Sequence, residues 1–143
     1  MVRGDRVLLL EHRDSDDSYW FLPGGATGEN EDPADAALRE LEEECRVRAE
    51  LLKLLSYNNY SERFQEYSYL VDIGEQTPSL GHDPELAEGS QILNDLRWLT
   101  LREVPERERR YLWAAGLMGI PAFQKELLSW GGDLNYPGDR TLA

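Results

Sequence analysis

Residues Gly25–Val47 read GATGENEDPADAALRELEEECRV, and the way this stretch folds decides how the rest of the chain is arranged. Asp32 is a good helix N-cap, Pro33 suits the first helical position, and Asp35 can stand for the usual reciprocal partner one turn in. The spacing predicts a helix from about Pro33 to Cys45. At about 100° per residue, Glu40, Glu43 and Glu44 share one face, because positions i, i+3 and i+4 coincide on a helix. Ala34, Leu38, Leu41 and Cys45 fall on another side and give the helix an apolar stripe for a core. Like charges at this spacing repel, so a compensating cation is expected beside the acidic face. Arg46 stands where a helix-ending glycine is common. Either the helix overruns by a turn, or Arg46 adopts a left-handed conformation at about 1 kcal/mol.

Upstream, Arg6–His12 (RVLLLEH) is a short β-rich run suited to a buried strand. Met1 and Val2 are too short to supply its hairpin partner. A neighbouring element, a chain start further upstream or a second copy in a homodimer would then cover that edge. Arg13–Ser18 is polar and reads as a loop, and Tyr19–Leu22 as a strand halted by Pro23-Gly24-Gly25, where glycines allow backbone to approach a ligand closely. Downstream, Glu50–Tyr57 and Arg63–Ile73 read as strands joined by a turn at Asn58–Ser61. Gly74–Ser90 reads as a loop rich in proline and glycine, and a loop of this length in a small domain is more often functional than idle. Leu96–Thr100 is a further strand, and Glu106–Leu117 and Pro121–Trp130 are closing helices.

Residues 1–130 are therefore expected as one domain and 131–143 as a turn-rich tail. The formal charge of -13, from 15 basic and 28 acidic residues, argues against a nucleic-acid polymer as partner, since that requires a basic surface. One cysteine, Cys45, excludes an internal disulfide, and its place on the apolar stripe suits a buried structural thiol. The run Val7–Leu10 is too short for a signal core or a membrane span, so a soluble, cytoplasmic protein is expected.

Gly25, Glu31, Arg39, Glu40, Leu41, Glu43, Glu44 and Val47 resemble the Nudix box, G-x5-E-x7-R-E-U-x-E-E-x-G-U with U a bulky aliphatic residue, and only Arg46 departs from it. At roughly one in fifteen per position, six charged or glycine positions match by chance about once in ten million windows. Leu22–Gly25 and Ala36-Ala37 resemble the family's flanks, and Leu96–Glu103 its late strand and turn. Gly28 and Asn30 replace a more usual glutamate and glycine. The resemblance implies an α/β fold, an α/β/α sandwich around a mixed sheet, here short of the usual first strand.

It also implies a pyrophosphohydrolase using Mg²⁺, with Mn²⁺ as a substitute. Glu40, Glu43 and Glu44 would be metal ligands, with Glu43 or Glu44 nearest the attacking water, while Arg39 and Glu31 orient the carboxylates. Ala36, one turn before Glu40, would leave room for ligand. Glu85 or Glu88 would supply a late-loop ligand or base, with His82 a weaker candidate because nothing fixes its distance from the helix. Gly24 and Gly25 would line the substrate, and Phe64, Tyr67 and Tyr19 could stack a base, although strand aromatics more often face a core. Trp98 is assigned to the core.

The chemistry also follows from the residues alone. Mg²⁺ takes hard oxygen ligands and keeps waters, so carboxylates on a rigid helix plus substrate phosphates make a sufficient site, and the metal inverts the local charge for an anionic substrate. Two plainer readings compete. An acidic helix run is commonly a solvated face, and a Nudix-like module can sense a nucleotide without hydrolysing it. The proline marker of ADP-ribose hydrolases and the coenzyme A signature have no counterpart here, and the tyrosine of dinucleoside polyphosphate hydrolases falls near Phe64. The expected substrate is a small nucleotide, a nucleoside diphosphate linked to another moiety. Nucleoside triphosphate pyrophosphohydrolysis is the nearest rival.

Overall fold

The computed structural model describes residues 1–82 and 92–130. Its central strand is β2 (Arg6–Asp14), whose run Val7–Leu10 is fully buried because both faces are covered. Val7 and Leu9 point into one core, with Leu112, Leu117, Phe123 and Leu127 of the C-terminal helices. Leu8 and Leu10 point into another, with Leu41, Cys45, Val47, Val71 and Ile73. Strand alternation thus places a helical layer on each side of the sheet. Each of these buried leucines contributes about 2 kcal/mol by removal from water.

Both edges of β2 are paired within the chain. Strand β6 (Leu93–Thr100) runs antiparallel along one edge. The other is shared by β3 (Asp17–Phe21) and the two-residue β1 (Val2–Arg3), with Val2 opposite Val7 and Arg3 opposite Arg6. The expectation that Met1 and Val2 are too short to pair is corrected, and this edge gives no reason to invoke a second copy.

The polar stretch Arg13–Ser18 is likewise a tight hairpin rather than a loop. Asp14 pairs with Asp17, and Ser15 makes the turn at φ 42°.

A second antiparallel sheet joins β4 (Glu50–Ser61) and β5 (Phe64–Asp72). Asn58–Ser61, expected as the turn, are strand residues: Asn58 and Asn59 face Glu66 and Gln65, Ser61 faces Phe64, and the chain reverses at Glu62-Arg63. Every pairing among the described residues is antiparallel, so the mixed sheet expected from the sequence is not seen in them.

Helix α1 (Pro33–Cys45) has the expected bounds, and the Asp32 carboxylate accepts from Ala34 N–H at 2.8 Å. Arg46 ends it in the left-handed conformation, φ 54° and ψ 38°, with its N–H bonded to the Glu42 carbonyl. Of the apolar stripe, Leu41 and Cys45 are buried and Leu38 packs against their cluster. Helix α2 (Glu106–Ala114) is shorter than expected. Gly116 at φ 84° breaks it, and a short 3₁₀ turn, Leu117–Gly119, leads to α3 (Pro121–Ser129). Trp98 packs against the α1-side core, with the Arg3 guanidinium 4.8 Å from its ring centre. Among the described residues no helix is long and apolar enough to cross a membrane.

Candidate active site

The turn after β3 lies against the acidic face of α1. Gly24 N–H donates to Glu44 Oε2 at 2.9 Å, and Gly25 sits so close to Glu40 that a Cβ there would come within 2.4 Å of Glu40 Oε1. Glu44 is 6% exposed and the Glu40 side chain 12%, which rejects the solvated-face reading for these two carboxylates. Ala36, expected to leave room for ligand, is buried.

Arg39 is the hub. Its Nε and Nη2 grip Glu31 Oε1 and Oε2 at 2.9 and 3.1 Å in a two-point fork, and its Nη1 reaches Glu40 Oε1 at 2.9 Å and Glu43 Oε2 at 3.1 Å. Its Nη2 also donates to the Ala26 carbonyl at 3.0 Å, tying the loop to the helix. One planar cation therefore meets three carboxylates, the arrangement for which guanidinium geometry is suited. The Arg39 fork, helped by the Gly28 N–H at 2.7 Å, holds the Glu31 carboxyl down to about 2. Arg39 in turn is raised above its already high range, chiefly by Glu31 and then by Glu40. The compensating cation that the helix spacing calls for is present as a side chain.

Sequence reasoning missed several backbone contributors. The Ala26 carbonyl and the Gly28 N–H are silent in side-chain patterns. Asn30 occupies a left-handed position at φ 61°, a conformation asparagine tolerates better than most residues, so it substitutes where glycine is usual. Ser79, Gly81 and His82 donate their N–H groups to the carbonyls of Cys45, Glu44 and Glu43. The view that nothing fixes His82 relative to the helix is therefore corrected for its backbone, although its side chain is exposed. A glycine between proline-containing segments was the one available signal.

Glu85 and Glu88 lie outside the described residues. Tyr19, Phe64 and Tyr67 are 39%, 57% and 38% exposed, so the core reading fails for all three. Tyr19 stacks on His12 at 4.7 Å, Phe64 lies 5.3 Å from Tyr60 and Tyr67 4.9 Å from Tyr57, and none of the three takes part in the Arg39 network. Cys45 is fully buried, and burial, with the nearby Glu44 charge, pushes its thiol up to about 12, as expected of a structural cysteine.

The donor set is hard carboxylate oxygen, which suits Mg²⁺ or Mn²⁺. Each carboxylate can accept about four bonds, so the contacts to Arg39 and Gly24 do not preclude ligation. Among the described residues no group of three acidic, histidine or cysteine side chains is placed to hold a metal ion by itself. An ion that takes a few carboxylates and completes its shell with water and phosphate oxygens fits this arrangement.

Among similar proteins, a nucleoside triphosphate pyrophosphatase/Nudix hydrolase fusion protein of Bifidobacterium longum is 27% identical over 71% of this chain, which spans only 21% of that protein. An RNA pyrophosphohydrolase of Bartonella tribocorum is 28% identical over 71% of this chain and 69% of its own length. A CMP-5'-(N-acetyl-N-hydroxy-3-aminopropyl)phosphonate hydrolase of Streptomyces rubellomurinus is 31% identical over 93% of this chain and 63% of its own length. In fold, the chain is similar to a C. elegans Ap4A hydrolase, with TM-score 0.59, 20% identity and coverage of 85% of this chain and 88% of that one. The model of the NUDIX domain matches residues 1–118, across the box, both sheets and α2, and the chain belongs to the Nudix hydrolase family.

Proposed function

We propose that this chain is a divalent-metal-dependent hydrolase that cleaves the pyrophosphate of a nucleoside diphosphate linked to another moiety, releasing a nucleoside monophosphate and the phosphorylated remainder. The observation that carries this reading is the Arg39 hub. It holds Glu31, Glu40 and Glu43 around one guanidinium while Glu44 is tied to the Gly24 turn. Glu40, Glu43 and Glu44 would hold Mg²⁺ or Mn²⁺. The bound ion would neutralise phosphate charge and lower the pKa of the attacking water.

The chain's own residues do the rest. Glu43 or Glu44 accepts a proton from the water as its oxygen forms a bond to phosphorus. The bridging P–O bond breaks, and the leaving phosphate keeps the electron pair. Arg39 keeps the carboxylates from turning away, and Glu31 keeps Arg39 in place. The backbone of Gly24 and Gly25 supplies a flat surface beside the carboxylates.

The Streptomyces relative favours a nucleotide joined to another group, since its name describes such a compound and the similarity runs over 93% of this chain. Nucleoside triphosphate pyrophosphohydrolysis is the second reading; the Bifidobacterium relative does not bear on it, since its name joins a triphosphate pyrophosphatase to a Nudix hydrolase and this chain spans only 21% of that protein. A nucleotide sensor is the third, and the retained Glu40, Glu43 and Glu44 count against it. Phosphorus NMR of products formed in ¹⁸O-water, over a panel of sugar, dinucleoside and triphosphate nucleotides with Mg²⁺, tests all three. Monophosphate release from a linked diphosphate is expected. Pyrophosphate release from triphosphates alone supports the second reading, and tight binding without turnover in Mg²⁺ or Mn²⁺ supports the third.

A further inference from the structure

The last turn of α1 carries Glu43 and Glu44, and its final carbonyls have no partners inside the helix. The Glu42 carbonyl is met by Arg46 N–H at 3.1 Å. The next three are met from a segment distant in sequence. Ser79 N–H reaches Cys45 O at 3.0 Å, Gly81 N–H reaches Glu44 O at 2.7 Å, and His82 N–H reaches Glu43 O at 3.1 Å.

This approach is open only to glycine at position 81. A Cβ there would lie 1.8 Å from Glu43 O and 2.8 Å from the carbonyl carbons of Glu43 and Glu44. Those atoms are helix backbone and cannot swing aside as a side chain could. An alanine would have to push the segment or the last helical turn away until ordinary contact is restored.

We propose that Gly81 is a positioning residue for the active site. Its N–H and that of His82 clamp the peptide units of Glu43 and Glu44, and so aim those carboxylates. The inference rests on the reading that Glu43 and Glu44 hold a divalent ion. Helix ends fray, and here the end bears two of the three carboxylates and closes on a left-handed arginine rather than glycine. A clamp from outside the helix supplies the rigidity that ligation requires.

The test compares Gly81→Ala with Leu127→Ala, a substitution in the other core cluster, with Mn²⁺ alone as the probe. Groups that orient ligands typically change metal affinity or activity by about 10- to 100-fold. Gly81→Ala is therefore expected to weaken Mn²⁺ binding, read by electron paramagnetic resonance, about tenfold. Its kcat should fall by a similar factor, with little change in nucleotide KM at saturating metal. Leu127→Ala should lose thermal stability yet keep Mn²⁺ affinity within about twofold, since it alters no group near the ligands.

Equal Mn²⁺ affinity in the two variants, with an active parent, overturns the positioning role alone. A parent that neither binds Mn²⁺ nor hydrolyses any nucleotide overturns the functional reading and this inference with it. Where Gly81→Ala does not fold, amide exchange in the parent decides. Mg²⁺ should slow exchange at Gly81 and His82 several-fold, by the reciprocity of coupled sites. Unchanged rates there overturn the clamp.

Discussion

Gly25 lies flat against the carboxylate of Glu40, so that a Cβ at position 25 would meet Oε1 at 2.4 Å, Cδ at 2.5 Å and Oε2 at 2.8 Å. All three atoms belong to the end of one flexible side chain. Gly25→Ala should therefore fold, with Glu40 swinging away, and lose about 1–2 kcal/mol of stability. Activity should fall about 100-fold, since a displacement of about 1 Å at a reacting centre costs that much. Urea midpoints and kcat/KM separate the two effects, and a variant with full activity would show that the Glu40 contact is incidental.

Arg39→Lys tests the hub. The guanidinium makes its contacts from three nitrogens set in a plane, whereas an ammonium is a single point with three donors. Lysine keeps the charge but cannot hold Glu31 at two points while reaching Glu40 and Glu43. With the Arg39 side chain 36% exposed, solvent screening limits the stability loss to about 1 kcal/mol. The activity loss should be larger in proportion, about 100-fold in kcat/KM. Steady-state kinetics beside thermal melts check whether charge alone suffices.

Glu31 makes the hub dependent on pH. Its carboxyl is lowered from 4.5 to about 2, first by the Arg39 side chain and then by the Gly28 N–H. A depressed carboxyl contributes stability above its unfolded value, and that contribution is lost as pH falls through the folded value. The stability gap between the parent and Glu31→Gln should be widest above about pH 4.5 and should close toward pH 2. Glu103, lowered by the Thr100 N–H and hydroxyl, adds an acid dependence common to both proteins and cancels in the difference. Urea titrations across this range supply the test, and a gap that stays constant with pH would mean that the Arg39 pair is not formed.

Glu43→Gln keeps the shape of the side chain and can still offer an oxygen to Arg39, which lies 3.1 Å away. It removes the charge and, on the proposed mechanism, one of the two candidate proton acceptors. Folding should be unchanged and kcat should fall by about 10² to 10⁴. Near-normal turnover would remove Glu43 from the reaction and leave Glu44 as the proton acceptor.

The parts of this fold legible in the sequence are those fixed by neighbours along the chain. Asp32 and Pro33 start α1 through local hydrogen bonding and a preset φ, and its bounds follow. Val7–Leu10, an unbroken apolar run, marks a strand buried on both faces without saying what covers each. Where partners are remote, the pattern misleads. Arg13–Ser18 is polar because it forms the exposed end of a hairpin, with Asp17 3.2 Å from Arg107 of α2, and composition alone cannot tell this from a loop. Asn58–Ser61 carries turn-forming residues, yet pairing with the start of β5, Phe64–Glu66, holds them in the strand. In the site, Glu40, Glu43 and Glu44 were legible because their spacing is helical, whereas Glu31, in the loop before α1, was legible only through the resemblance to the Nudix box. Gly81 was not, because its need for glycine is set by a carbonyl in another element.

Arg46 ends α1 at φ 54° and ψ 38°, a conformation that costs a side-chain-bearing residue about 1–2 kcal/mol. Against this stands the cation's favourable place at the negative end of the helix dipole, worth about 0.5 kcal/mol for an exposed group. Glycine would relieve the strain, lose the charge and gain freedom in the unfolded chain. The balance of these three terms predicts that Arg46→Gly is equal to the parent or more stable by up to about 1 kcal/mol. Its N–H bond to Glu42 O at 3.1 Å can persist, so the Glu43 and Glu44 peptide units should not move and kcat should stay within about twofold. Thermal melts and steady-state kinetics on this single variant check both expectations. A loss of stability would show that the Arg46 side chain makes a contact worth more than the strain.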